Sequence, residues 1–415
     1  MKKSIAFTYA FIAAFGALVV GLNMGGISGA IDIIEAEFSL DALTKGFVTG
    51  ALMVGCLFGA LLGGRLSDKY GRKLMLIISA VLLGLSAGGC GFLSHSASAL
   101  VIYRFIGGLG VGVLSAVIPT YITEISPAEL RGTFVSFYQL FVVVGILVAY
   151  CANLFFSSYE MNWHLMLGLP LAFAILDIVL LLFLPESPIW LEQKGQKCER
   201  EKVAFKELFK GRMGYVVFLG SMLAFFQQIT GINVVVNYAP SILGKLGIAG
   251  SDPLLQTVFI GVANLIFTVI ALWLVDKFGR KTLLVCGCFG CTASLAYLTY
   301  AYSIADPSSI GVLAAILAYI GFFALSLSPL MFVVTSEMYP SRVRGTAMAF
   351  STGISWACAF LVVQFYPWME STLGTNVAFG IFAALCLAAG LFIWFLIPET
   401  KGKSLESIEK ELKLR

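Results

Sequence analysis

The chain has 415 residues, of which 59% are hydrophobic and only 12% charged, with a mean hydropathy of +0.93. That composition excludes a soluble globular chain and requires a bilayer as part of the solvent. The net charge is a modest +4, and no basic cluster interleaves with aromatic residues, so nucleic-acid binding has no support.

Apolar runs of about 20 residues recur near 7–29, 45–66, 74–93, 98–123, 133–154, 164–184, 214–239, 254–275, 282–303, 309–335, 344–368 and 374–397. Each is long enough to cross a bilayer as a helix, and the spacing predicts an all-α membrane protein with twelve transmembrane helices. Lys2 and Lys3 precede the first run as in a signal peptide. The run is long and no clear small-residue cleavage site follows, so it reads as a retained first helix. About 24 of the 27 Lys and Arg residues fall in alternate connections or the termini. Lys45 and Lys245 lie on the other side and Arg104 within a span, which places both termini in the cytoplasm of a plasma (inner) membrane.

Eight of the nine cysteines fall in apolar runs, including "CGCFGC" (286–291). There cysteine behaves as a small hydrophobe, and no metal site is expected.

The chain repeats itself. "SDKYGRK" (67–73) recurs as "VDKFGRK" (275–281), "TEISPAELRGT" (123–133) as "SEMYPSRVRGT" (336–346), and "LPES" (184–187) as "IPET" (397–400). Glu124, Arg131 and Glu186 each precede their counterparts Glu337, Arg344 and Glu399 by 213 positions. Two six-helix halves in the same orientation follow: residues 1–190, then a cytoplasmic linker over 191–213, then 214–398, with a cytoplasmic tail over 399–415. Within the linker, Val203, Phe205, Leu208 and Phe209 recur at roughly helical spacing. A short amphipathic helix and a solvated linker fit equally well. Two parallel repeats with a site at the midplane describe a secondary transporter.

The seventh run carries "QQITGINVVVNYAP" (227–240), with four amides that lipid cannot satisfy. At about 100° per residue, Gln227, Thr230, Asn233 and Asn237 share one arc, while Gln228 points away unless the helix unwinds at Gly231. Amides donate and accept, which suits the hydroxyl pairs of a polyol without adding charge. Intramembrane amides also glue helices together. Four on one segment, beside Gly231 and Pro240, favour a cavity wall.

In order along the chain, "GGRLSDKYGRK" (63–73), "YRFIGGLGVG" (103–112), "ITEISPAELRG" (122–132), "PESPIWL" (185–191), "QQITGIN" (227–233), "VDKFGRK" (275–281) and "PETKGKSLE" (398–406) resemble the signatures of the major facilitator superfamily and its sugar porter branch. The resemblance implies monosaccharide transport by alternating access, with no cofactor and a monomeric carrier. It matches Gln139, Gln227, Gln228, Asn233, Asn264 and Trp356 to sugar ligands, and Tyr238 to an aromatic that closes the outer gate. Departures from the pattern are Phe332 for a tryptophan, Ser328 for a glycine, Ser355 for Asn or Gln, and Asn237 for a tyrosine at the gate. Phe332 can still offer a ring face, without an indole donor.

The same resemblance makes Asp68, Arg72, Glu124, Arg131, Glu186, Asp276, Arg280, Glu337, Arg344 and Glu399 a cytoplasmic gate that pairs when such a carrier opens outward. Proton-coupled relatives place an aspartate on the first helix facing an arginine that corresponds to Arg104. Here that position is Asn23, which cannot titrate near neutral pH. Facilitated diffusion is therefore expected, unless proton coupling runs through Asp177 or Asp32. For Asp177 the expectation is a side chain that snorkels to the cytoplasmic edge or caps a neighbouring helix. His164 replaces an arginine common at its interface and is expected to serve as a local anchor.

A non-transporting sugar receptor on the same scaffold needs a cytoplasmic signalling element, and the tail after Pro398 is under 20 residues. An enzyme is not indicated, since no nucleotide loop, metal spacing or nucleophile–base set stands out. The glycines of "GGLGVG" (107–112) read as close helix packing.

Overall fold

A computed structural model describes residues 3–127, 130–158, 163–195, 208–209, 211–245, 252–304, 308–340, 343–401 and 403. The described residues form helices and short connections, and twelve helices are long and apolar enough to cross a membrane. In chain order these spans are Lys3–Phe38, Ala42–Tyr70, Arg72–Leu93, Ala97–Ile125, Gly132–Ser157, Trp163–Leu182, Gly211–Gly244, Pro253–Val275, Arg280–Ala301, Ser309–Met338, Arg344–Leu373 and Thr375–Leu396. The twelve predicted runs all lie on them. Most of the linker whose helicity was left open, 196–207 and 210, lies outside the described residues, as does 404–415 of the tail.

Short polar residues start several helices. Asp41 Oδ1 accepts the N–H of Thr44 at 3.0 Å, Ser96 caps Ala99 at 3.2 Å, and Ser308 caps Gly311 at 3.2 Å.

The structure divides into two compact units. The first comprises Met1–Arg200, Val236–Ser241 and Asp252–Gly261; the second comprises Glu201–Val235, Ile242–Ser251 and Val262–Arg415. The segment Val236–Ser241 of the seventh span thus belongs to the first unit, although the residues on either side of it belong to the second.

Within the first unit, the second and fourth spans approach backbone to backbone. A Cβ on Gly108 would stand 1.9 Å from the Leu52 carbonyl oxygen, and one on Gly112 would stand 2.3 Å from that of Cys56. The glycines of "GGLGVG" therefore do the packing work read from the sequence, since lipid supplies no hydrophobic drive and helices associate through close contact.

Candidate functional site

The seventh span runs as Gly211–Ile229 and Ile232–Gly244, interrupted at Gly231, whose φ of 92° lies in the left-handed region. The tenth span is likewise split into Ser309–Leu325 and Leu327–Met338, with Ser326 non-helical between them. Pro329 falls in the first turn of the second piece, where its missing N–H costs nothing. Broken helices persist in a membrane only where side chains or a cavity satisfy the freed backbone. Gln227 sits at the second break: its Nε2 donates to the Leu327 carbonyl at 3.0 Å and to that of Ser328 at 3.4 Å, tying the first piece of the seventh span to the start of the second piece of the tenth.

A chain of amides continues from there. Gln228 Nε2 donates to Ser355 Oγ at 2.9 Å and to Gln227 Oε1 at 3.3 Å, while Gln228 Oε1 accepts from Asn233 Nδ2 at 2.6 Å. On an unbroken helix Gln228 would face away from Asn233; the turn at Gly231 re-aims it. Gln227, Asn233 and Ser355 are all buried, and Gln228 is half-buried. Together they form one neutral, hydrogen-bonded patch within the second unit. Tyr319, not singled out from the sequence, supports it by donating its hydroxyl to the Thr230 carbonyl at 3.0 Å. Its signal was available, because a tyrosine in an apolar helix must find a partner for its O–H.

The other expected ligands lie on other spans or on the far side of the break. Asn264 and Trp356 are half-buried on the eighth and eleventh spans, and Phe332 is 42% exposed on the tenth. Gln139 is half-buried on the fifth span, in the first unit. Asn237 and Tyr238 are both 1% exposed and belong to the segment Val236–Ser241 that packs with the first unit.

Asn23 is buried and donates to the Val19 carbonyl of its own helix at 2.9 Å. Arg104 is also buried, with Nη2 donating to the Thr49 carbonyl at 3.0 Å and no hydrogen-bond partner at Nε. Asp177 corrects the sequence expectation: it neither snorkels nor caps. It is 0% exposed, neither carboxyl oxygen has a hydrogen-bond partner, and Oδ2 lies 3.1 Å from where a Cβ on Gly16 would stand. The reason is its register, which places it on the face of the sixth span that packs against the first. Asp32 instead accepts from Lys45 Nζ at 2.8 Å.

The signature loops pair across helices. Arg72, 1% exposed, donates Nε and Nη2 to the two oxygens of Glu124 at 3.0 and 2.9 Å, Nη1 to the Ser67 carbonyl at 3.0 Å, and pairs with Asp68 at 2.8 Å. Glu186 accepts the backbone N–H groups of Arg72, Lys73 and Ser187, so a carboxylate closes the positive end of the third span. Gly71, at φ 106°, brings this turn so close that a Cβ would meet Glu186 Oε2 at 2.3 Å. The second unit repeats the arrangement more loosely. Arg280 stands 3.6 Å from Glu337, Arg344 Nε donates to the Tyr339 carbonyl at 3.2 Å, and Glu399 accepts from the N–H of Arg280 and Lys281 at 3.0 and 3.1 Å. The side chains of Arg131 and Asp276 lie outside the description.

Partial burial pushes the Glu399 carboxyl up, but the backbone donors of Lys401, Arg280, Lys281 and Thr400 outweigh it and hold the group below the usual carboxylate range. A depressed carboxyl contributes stability above its unfolded value, and that contribution is lost as pH falls through the folded one. Glu399→Gln is thus expected to lower the thermal midpoint at neutral pH by an amount that shrinks on acidification. A midpoint difference independent of pH in the purified protein would exclude that charge effect.

The family described as "Sugar (and other) transporter" matches residues 9–208 and 196–412. The chain belongs to this sugar transporter family. The transporter is 33% identical to the D-xylose-proton symporter of Escherichia coli K12, covering 98% of this chain and 96% of that one. It is 34% identical to the probable metabolite transport protein CsbC of Bacillus subtilis, over 98% and 94% of the two chains. Its fold matches the inward-open xylose transporter XylE from E. coli with a TM-score of 0.85 at 32% identity, covering 98% and 99% of the chains. It is a multi-pass integral membrane protein of the major facilitator fold.

Proposed function

We propose that this transporter moves a monosaccharide across the membrane by alternating access, as a monomer whose two termini face the cytoplasm of the plasma (inner) membrane. The observation that carries the reading is the neutral amide patch of Gln227, Gln228, Asn233 and Ser355, set where two membrane helices break. Its donors and acceptors can be exchanged one for one with sugar hydroxyls, and Gln139, Asn264, Trp356 and Phe332 supply further contacts. Neutral hydrogen bonds contribute about 0.5–1.5 kcal/mol each, which fits a dissociation constant from about tens of micromolar to millimolar and permits release. Arg72, Glu124, Arg131 and Glu186 act with Asp68 as a cytoplasmic gate, together with Asp276, Arg280, Glu337, Arg344 and Glu399.

Coupling has two readings. Asn23 favours facilitated diffusion, because an amide beside Val19 offers no proton to the cycle. Proton symport is favoured by Asp177, a carboxyl fully buried in the first unit without a hydrogen-bond partner, and by the name of the E. coli relative.

Uptake of labelled xylose, glucose, galactose and fructose into proteoliposomes, with and without an imposed pH gradient, separates these readings. Equilibration without accumulation under the gradient establishes facilitated diffusion. Accumulation that Asp177→Asn abolishes establishes symport through Asp177, and uptake of none of the sugars refutes monosaccharide transport.

A further inference from the structure

The helix Ile232–Gly244 contains Pro240, which has no N–H to give to the carbonyl four residues earlier. That carbonyl is Val236, and it is taken instead by the Tyr150 hydroxyl of the fifth span at 2.8 Å, with both groups buried. One turn further on, Ser241 Oγ reaches both oxygens of Asp32 on the first span, at 2.7 and 2.6 Å. Asp32 is held as an acceptor by Lys45, 8% exposed, whose Nζ lies 2.8 Å from Asp32 and 2.7 Å from Glu35. Between these two ties lie Asn237, Tyr238 and Ala239, all buried.

We infer that Tyr150 and Ser241 are positioning residues that clamp the outer segment of the seventh span onto the first unit, and that Pro240 creates one of the two attachment points. Release of the clamp accompanies outward opening. The proline makes docking conditional: undocked, the Val236 carbonyl loses its partner inside a membrane helix, whereas an ordinary helix would satisfy it in both positions. The hydroxyl–carboxylate tie is more exposed, which offsets the added strength of its charged acceptor.

This inference rests on the alternating-access reading, so its test uses no sugar. Ala239→Cys, in a protein whose exposed Cys151 and Cys286 are replaced by serine, is labelled from outside with a membrane-impermeant thiol reagent. Tyr150→Phe and Ser241→Ala each delete one oxygen and should speed labelling about five- to tenfold, the worth of one such bond. Ser241→Thr keeps the hydroxyl and should restore the slow rate. In a Pro240→Ala background the Val236 carbonyl is bonded within its own helix, so Tyr150→Phe should have little effect there while Ser241→Ala retains its own. Equal acceleration by Tyr150→Phe in both backgrounds, or none in either single variant, overturns the clamp. More than one labelled thiol per chain identifies a variant that has unfolded, and Tyr150→Trp then takes its place as a larger block to docking. Failure of uptake in the parent protein overturns the transport reading and leaves the labelling result standing.

Discussion

Arg72→Ala is expected to destabilise the transporter by about 3–5 kcal/mol, the range for removing one partner of a buried ion pair. Arg72 is 1% exposed and Glu124 10% exposed at its side chain, so the loss strands a carboxylate where water reaches it poorly. The fork of Arg72 also holds the Ser67 carbonyl and Asp68, so one substitution loosens the ends of the second, third and fourth spans together. Arg72→Lys should recover little, because a single ammonium cannot reproduce two parallel bonds to Glu124. Arg72→Met combined with Glu124→Met should be far milder than Arg72→Ala alone, since no charge is left unpaired. Thermal unfolding of the purified protein measures all three variants. An Arg72→Ala midpoint close to the parent value would show that water compensates Glu124 and that this pair does not organise the helix ends.

Gln228→Ala is expected to lower sugar uptake at limiting sugar about 100-fold. Gln228 joins the two pieces of the seventh span to the eleventh: its amide serves Ser355, Gln227 and Asn233 at once. Truncation leaves those three buried or half-buried groups without this partner and removes a donor and an acceptor for sugar hydroxyls. Two such losses at about 1–1.5 kcal/mol each give that factor. Gln228→Glu keeps the shape but withdraws both donors and adds charge, and it should fare no better. Calorimetric binding of the transported sugar distinguishes the causes. Weaker binding with an unchanged thermal midpoint supports a ligand role, whereas unchanged binding with a lowered midpoint would make Gln228 helix glue.

Much of this architecture was legible because a bilayer imposes a simple rule on sequence. Spans need about 20 apolar residues and lipid accepts no unpaired backbone, so the twelve runs could be read directly. The internal repeat of "SDKYGRK", "TEISPAELRGT" and "LPES" likewise showed two similar halves before any coordinates. Even the break at Gly231 was visible as the condition for Gln228 to join the stripe.

What the sequence could not supply was partnership between residues far apart in the chain. It placed Arg72 and Glu124 in separate loops, and the coordinates join them across 52 positions. Asp177 was expected to snorkel or to cap a neighbouring helix, and only packing against Gly16 showed that it is fully buried. That Val236–Ser241 packs with the first unit is likewise a tertiary fact, fixed by a tyrosine on the fifth span and an aspartate on the first. Sequence alone determined the membrane class, the spans and the repeat, because each depends on local hydropathy or on recurrence of short motifs. Tertiary structure alone decided which polar groups satisfy one another, because in a low-dielectric interior that choice depends on distances between helices rather than on position along the chain.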